Sequence, residues 1–194
     1  MKLIVGLGNP GNLYRFSRHN AGFLVLDWLS EEWHIPINRK RFNALFGKGK
    51  NGNEEIILIQ PQTFMNLSGK SVKSFFEYYR IEFPEQVIAV HDDLDLPFGT
   101  IRMKSGGGHG GHKGLISMIE YLGSQDFQRV RVGIGRPPYS GMVEQYVLSI
   151  FTPEEMTALS GIISTVGQAI DDMMASGIQA AMNKYHGQNH KDDL

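Results

Sequence analysis

The chain has 194 residues, with 19 basic and 20 acidic side chains and a formal net charge of -1. It is therefore no general cationic coat for nucleic acid, and any polyanion must meet a local basic patch. Hydrophobic residues at 41% and charged ones at 20% exclude a disordered chain, and no run of about 18 apolar residues offers a membrane span. The absence of cysteine removes disulfides, thiolate ligands and a thiol nucleophile, and it fits a cytoplasmic location.

The apolar run KLIVGL, residues 2–7, has the pattern of a first strand buried on both faces rather than of a leader. Gly8-Asn9-Pro10-Gly11 ends it. From about Asn20 the period becomes helical, with Phe23, Leu26 and Leu29 beside Ala21, Leu24 and Trp28. Residues 35–53 are mixed and read as a weak strand and turns. Ile56–Gln60 is a second buried strand, stopped by Pro61. Asn66 or Ser68 is placed to cap a helix whose Val72, Phe75, Phe76 and Tyr79 point inward.

Val87–Val90 is a third buried strand, followed by His91, Asp92, Asp93 and Asp95, a turn at Pro97 and Gly99, and a glycine-rich loop. That loop carries His109, His112 and Lys113, and His109 and His112 are expected to shape it rather than to do chemistry. Residues 114–122 read as a short helix, and Val130–Gly135 alternates as a strand with one covered face. Thr152-Pro153-Glu154-Glu155 is a helix start with a capping box, and Gly177 breaks the helix that follows. Residues 187–194 read as a frayed tail. Strands alternating with helices predict one α/β domain over 1–194, a sandwich with a mostly parallel, mixed twisted sheet flanked by helices.

The three buried strands end at Leu7, Gln60 and Val90, and just beyond those ends lie Asn9, Asn66 and Asp92. Open α/β sheets bind ligands in the crevice beyond the carboxyl ends of their strands. His19, before the first helix, can reach Asp92 there. A carboxylate fixes the tautomer of an imidazole and stabilises its protonated form, so the other ring nitrogen can take a proton. With no cysteine and no G-x-S-x-G elbow, water is the expected nucleophile. Asparagine amides can hold an oxyanion, so the set points to hydrolysis of an ester or amide.

Two other chemistries compete. Gly6-x-Gly8-x-x-Gly11 follows the first strand as a dinucleotide loop does, but Pro10 removes a donor and no acidic strand end follows about 20 residues later. A metal site from His91, Asp92, Asp93, Asp95, His109 and His112 is discounted, because His109 and His112 lie in a glycine loop and the acidic run suits a solvated turn. Arg102, Lys104, Lys113, Arg129, Arg131 and Arg136 surround the same region. Alternation puts Arg102 with Lys104, and Arg129 with Arg131, on one face each, where they can hold phosphates.

The motifs VGLGNPG with Tyr14 and RHNAG, QPQTFMNLSG, HDDLDLPFG, GGGHGGHKGL and RVRVGIGRP, in this order, resemble those of bacterial-type peptidyl-tRNA hydrolases. The resemblance implies a monomeric, cytoplasmic, metal-independent α/β esterase with no cofactor, membrane association or obligate protein partner. Its substrate would be peptidyl-tRNA, cleaved at the ester to recycle tRNA from aborted translation. It implies His19 as base, Asp92 as its partner and Asn9 as the residue that helps tell blocked from free aminoacyl-tRNA. Tyr14, Phe64, Met65 and Asn66 would contact substrate, and Lys104 and Arg131 would hold tRNA phosphate. Lys113 stands where the family has asparagine. A charged lysine accepts no hydrogen bond, so it is expected to pair with a phosphate or the peptide end. The alternatives are an esterase or amidase for small substrates and a non-catalytic RNA-binding module with a vestigial crevice.

Overall fold

The computed structural model describes residues 1–186. A seven-stranded sheet carries β1 (Lys2–Gly6), β2 (Arg39–Arg41), β3 (Ala44–Asn51), β4 (Glu54–Pro61), β5 (Val87–Asp93), β6 (Ile101–Ser105) and β7 (Gln128–Gly133). The order is β2-β3-β4-β1-β5-β7-β6. The four inner strands are parallel, and β2, β3 and β6 add antiparallel pairings at the two sides. The expected mostly parallel, mixed α/β sandwich is the architecture observed.

The sheet divides two apolar cores, and the alternation of its strands sorts their side chains. Leu3, Val5, Ile57, Ile59, Val87 and Ala89 face α2 (Ser68–Tyr78) and α3 (Lys113–Leu122). Ile4, Ile56, Leu58, Ile88, Val90, Val130 and Val132 face α1 (Ala21–Glu32) and α5 (Pro153–Ser176). Each fully buried aliphatic contributes about 1.5–3 kcal/mol, so a one-residue slip of β1 would exchange both cores at once. A short helix α4 (Val143–Leu148) and a last helix α6 (Ile178–Tyr185) complete the chain.

Thr152 caps α5 as expected: its side chain accepts from Glu155 N–H while the Glu155 carboxylate accepts from Thr152 N–H at 2.8 Å. Gly177 separates α5 from α6, also as expected. The cap expected for α2 is not formed. Ser68 is the first helical residue and donates its hydroxyl to Met65 C=O at 2.9 Å, while Leu67 occupies the cap position. Asn66 is thereby left exposed on a 3-10 turn. The weak strand expected in 35–53 is the strand pair β2 and β3, and β6 is an addition. β3 holds Gly47 and Gly49, and a Cβ at Gly47 would lie 2.7 Å from Pro36 O, so the incoming segment packs flat on the strand.

Candidate active site

A cleft of about 1050 Å³ opens beyond the carboxyl ends of β1, β4 and β5. Asn9, Tyr14, His19, Phe64, Met65, Asn66, Asp92, Lys104, Lys113 and Arg131 all line it, so every residue expected from the sequence to serve the site is brought to one cavity. Asp92 lies inside β5 rather than after it, because the strand runs on to Asp93.

His19 arrives on a 3-10 turn, Arg18–Asn20, that leads into α1. Gly22 makes the approach possible. A Cβ there would lie 2.3 Å from Val90 O and 2.5 Å from Leu7 N, inside the backbone of two strands. With α1 pressed that close, His19 Nδ1 meets Asp92 Oδ1 at 2.8 Å. Read as Nδ1–H donating to the carboxylate, this bond leaves the lone pair on Nε2, the correct tautomer for a base.

The same Asp92 oxygen accepts from His112 Nε2 at 3.1 Å. His112 caps α3 as well: its Nδ1 accepts from Gly114 N–H at 3.1 Å and Leu115 N–H at 3.3 Å. It therefore shapes the loop, as expected, and in addition it reaches Asp92, a contact the sequence did not announce. Burial opposes ionisation of Asp92 most strongly, and His19 and His112 more than offset it, so the carboxyl is held well below the usual range.

Ligand atoms of His19, Asp92 and His112 lie within 4.8 Å of one another. The donor set does not suit a metal, however. Because His112 Nδ1 accepts two backbone N–H bonds, its proton resides on Nε2, and the nitrogen facing Asp92 has no lone pair to give. The other acidic and histidine side chains considered for a metal make separate contacts, although the buried His91 Nε2 has no partner among the described residues. His91 Nδ1 donates to Asp92 C=O at 2.7 Å, Asp93 pairs with Arg131, Asp95 with Arg136, and His109 Nδ1 accepts from Gly111 N–H. Burial first, and then His112, pushes the His91 imidazole down to about 3.

Asn9 is clamped by Asn20, which was not expected. Asn20 Oδ1 accepts from Asn9 N–H at 2.8 Å, and Asn20 Nδ2 donates to Asn9 C=O at 3.0 Å. Asn9 Oδ1 in turn accepts from Met65 N–H at 2.9 Å. With its carbonyl engaged, Asn9 has its Nδ2 donors left for the cleft. Asn66 is exposed on the rim of the same cleft.

The basic residues divide. Each pair shares a face of its strand, as alternation predicted, and the β6–β7 register, with Arg102 opposite Arg131 and Lys104 opposite Arg129, puts all four on the same face. Arg131 Nε donates to Asp93 Oδ2 at 2.7 Å. Arg129 is buried and donates to the Gly107 and Gly108 carbonyls, so it anchors the glycine loop and is not a free phosphate ligand. Lys104 is exposed and has no carboxylate partner among the described residues. Lys113, expected to await a phosphate or peptide end, instead pairs with Glu144 of α4 at 2.9 Å. That hydrogen bond holds Glu144 below the ordinary glutamate range.

The family model for peptidyl-tRNA hydrolase matches residues 3–193. The chain belongs to the peptidyl-tRNA hydrolase family. Hydrolysis of peptidyl-tRNA at its ester is the function of that family. The peptidyl-tRNA hydrolase of Geotalea daltonii is 48% identical over 192 residues, 99% of this chain and 98% of that one. That of Bacillus cytotoxicus is 44% identical over 96% of this chain and all of its own. The crystal structure of the peptidyl-tRNA hydrolase from Acinetobacter baumannii superposes with a TM-score of 0.91 at 36% identity, covering 97% of this chain and 96% of that one. A peptidyl-tRNA hydrolase crystallised with N-propanol gives 0.92 over 98% and 96%. Within this peptidyl-tRNA hydrolase fold, Asn20 and Glu144 are the cleft-building residues that sequence reasoning missed, together with the contact of His112 with Asp92. Only Asn20, adjacent to His19, carried a signal, since a buried amide beside a base needs partners.

Proposed function

We propose that this chain cleaves the ester of peptidyl-tRNA by direct attack of water, with His19 as base and Asp92 as its partner. The observation that carries the reading is the 2.8 Å His19–Asp92 contact beside the outward amide of Asn9. Water attacks the ester carbonyl carbon while His19 Nε2 takes its proton. The oxyanion accepts hydrogen bonds from Asn9 Nδ2 and the amide of Asn66. Collapse breaks the bond to the ribose oxygen, which receives the proton from the imidazolium, and tRNA and the peptide acid depart. Asp92 stays ionised throughout and stabilises the imidazolium.

Tyr14, Phe64 and Met65 line the side on which the peptide lies, and Lys104 and Arg131 hold phosphate. The enzyme works as a monomeric, single-domain cytoplasmic protein over residues 1–194, without metal, cofactor or protein partner, and recycles tRNA from aborted translation. The frayed tail expected over 187–194 lies outside the described residues. The test is hydrolysis of an N-acetylated aminoacyl-tRNA beside its unblocked twin. Only the blocked substrate is cleaved, and His19→Ala lowers its rate by about 10² to 10⁴. Tight tRNA binding without cleavage would make the chain an RNA-binding module instead.

A further inference from the structure

Lys113 is the first residue of α3, where a cation faces the positive end of the helix dipole. Its partner, Glu144, lies in the first turn of α4. Their side chains are 60% and 75% exposed, and a pair so exposed shifts a folding equilibrium by no more than about fivefold. Stability thus gives little reason for a lysine at this position.

The position of the pair is more informative. Both residues line the cleft, Lys113 on the wall formed by the glycine loop and α3, Glu144 on the wall formed by α4. Their ion pair crosses the cleft that holds His19 and Asp92. Glu144 is the sole charge in α4, whose other cleft-lining residues, Val143, Val147 and Leu148, are apolar. Elsewhere in the lining Lys104 is exposed and Arg131 is tied to Asp93. A polyanion entering the cleft therefore meets Lys113 already held by a single competing carboxylate.

We infer that Lys113 and Glu144 form an exchangeable clasp, in which a phosphate at the RNA end of the substrate takes Lys113 from Glu144. Glu144 is then a specificity determinant. A ligand must carry an anion strong enough to displace it, and an uncharged small ester leaves the pair closed. The inference rests on the reading of this cleft as the site of peptidyl-tRNA hydrolysis, and it deepens that reading.

The test compares wild type, E144Q, K113Q and the charge-swapped K113E/E144K. Each is assayed on N-acetylated aminoacyl-tRNA and titrated with deacylated tRNA, at several salt concentrations. E144Q releases Lys113, so KM and the tRNA dissociation constant fall about threefold at low salt and converge on wild type at high salt. K113Q raises both and flattens the log–log salt dependence by about 0.7, the share of one phosphate on a single strand. The swap rebuilds the bridge but leaves a carboxylate on the RNA side, so it does not restore wild-type values. E144Q indistinguishable from wild type at low salt, or a swap that restores KM, overturns the clasp. Should wild type fail to cleave N-acetylated aminoacyl-tRNA, the functional reading fails, and the titrations with deacylated tRNA still decide whether Lys113 exchanges partners.

Discussion

Asp92 and Asp95 lie three residues apart and belong to two different kinds of surface. Asp92 is 2% exposed and takes hydrogen bonds from two imidazoles, one of them fixed further by backbone N–H groups. Asp95 is exposed and holds Arg136 in an ion pair open to water. The same contrast runs across the cleft. The His19 side is built from buried, mutually satisfied polar groups: Asn9 and Asn20 clamp one another, and Asn9 also holds the Met65 backbone. The cationic side is built from Lys113 and Arg131, paired with partly solvated carboxylates, and Lys104, which has no carboxylate partner among the described residues. A proton-transfer group must hold its geometry within tenths of an ångström, and burial supplies that. A phosphate grip must exchange partners with a large mobile ligand, and exposure supplies that.

The buried side should break sharply. Gly22→Ala puts a methyl into the Val90 and Leu7 backbone, and neither strand can retreat without opening the sheet. We expect a loss of about 3 kcal/mol or more in urea unfolding, with activity lost alongside. A loss below about 1 kcal/mol would mean that α1 slides freely and that His19 is not positioned by this contact.

Acid should distinguish the sides next. His91 stays neutral in the fold down to about 3, whereas an unfolded chain protonates it near about 6.5. Between those values the unfolded state binds the extra proton, so stability falls as pH drops through that window. Asp92, depressed in the fold, keeps its contribution above about 3.9 and loses it only in stronger acid, so it does not explain a decline near pH 5. The urea midpoint of wild type should therefore fall more steeply from pH 7.5 to 5 than that of His91→Asn. Parallel curves would show that the histidine is not held neutral by burial.

The exposed side should yield the smallest effects. Lys104→Gln should flatten the salt dependence of tRNA affinity by about 0.7–0.9, and Arg131→Gln by less, because Asp93 already competes for that guanidinium. Equal changes at both positions would erase the distinction drawn between free and paired cations.

The readability of the chain follows the same division. Leu3–Val5, Ile57–Ile59 and Val87–Val90 are buried on both faces, and an unbroken apolar run announces that without any tertiary knowledge. Thr152 with Glu155 announces a helix start because the capping bonds are local. β6 escaped because Arg102 and Lys104 alternate with only two buried apolar residues, Ile101 and Met103, and the strand is held by its pairing with β7. The meeting of His19 with Asp92 was legible from strand ends and connectivity. The contact of His112 with Asp92 and the role of Asn20 were not, since a glycine loop gives no direction to its side chains and the Asn9 clamp joins residues 11 apart across a turn. Lys113 shows the limit most plainly: its partner lies 31 residues away on a short helix whose placement only the fold determines.

The central claim is that His19 and Asp92 act as one unit on water. The direct measurement is kcat/KM on N-acetylated aminoacyl-tRNA for wild type, His19→Ala, Asp92→Asn and the double variant. If the pair is a unit, the double variant is about as slow as His19→Ala alone, because a carboxylate without its imidazole has nothing to orient. Losses that multiply, or a His19→Ala enzyme that keeps most of its rate, would contradict the account.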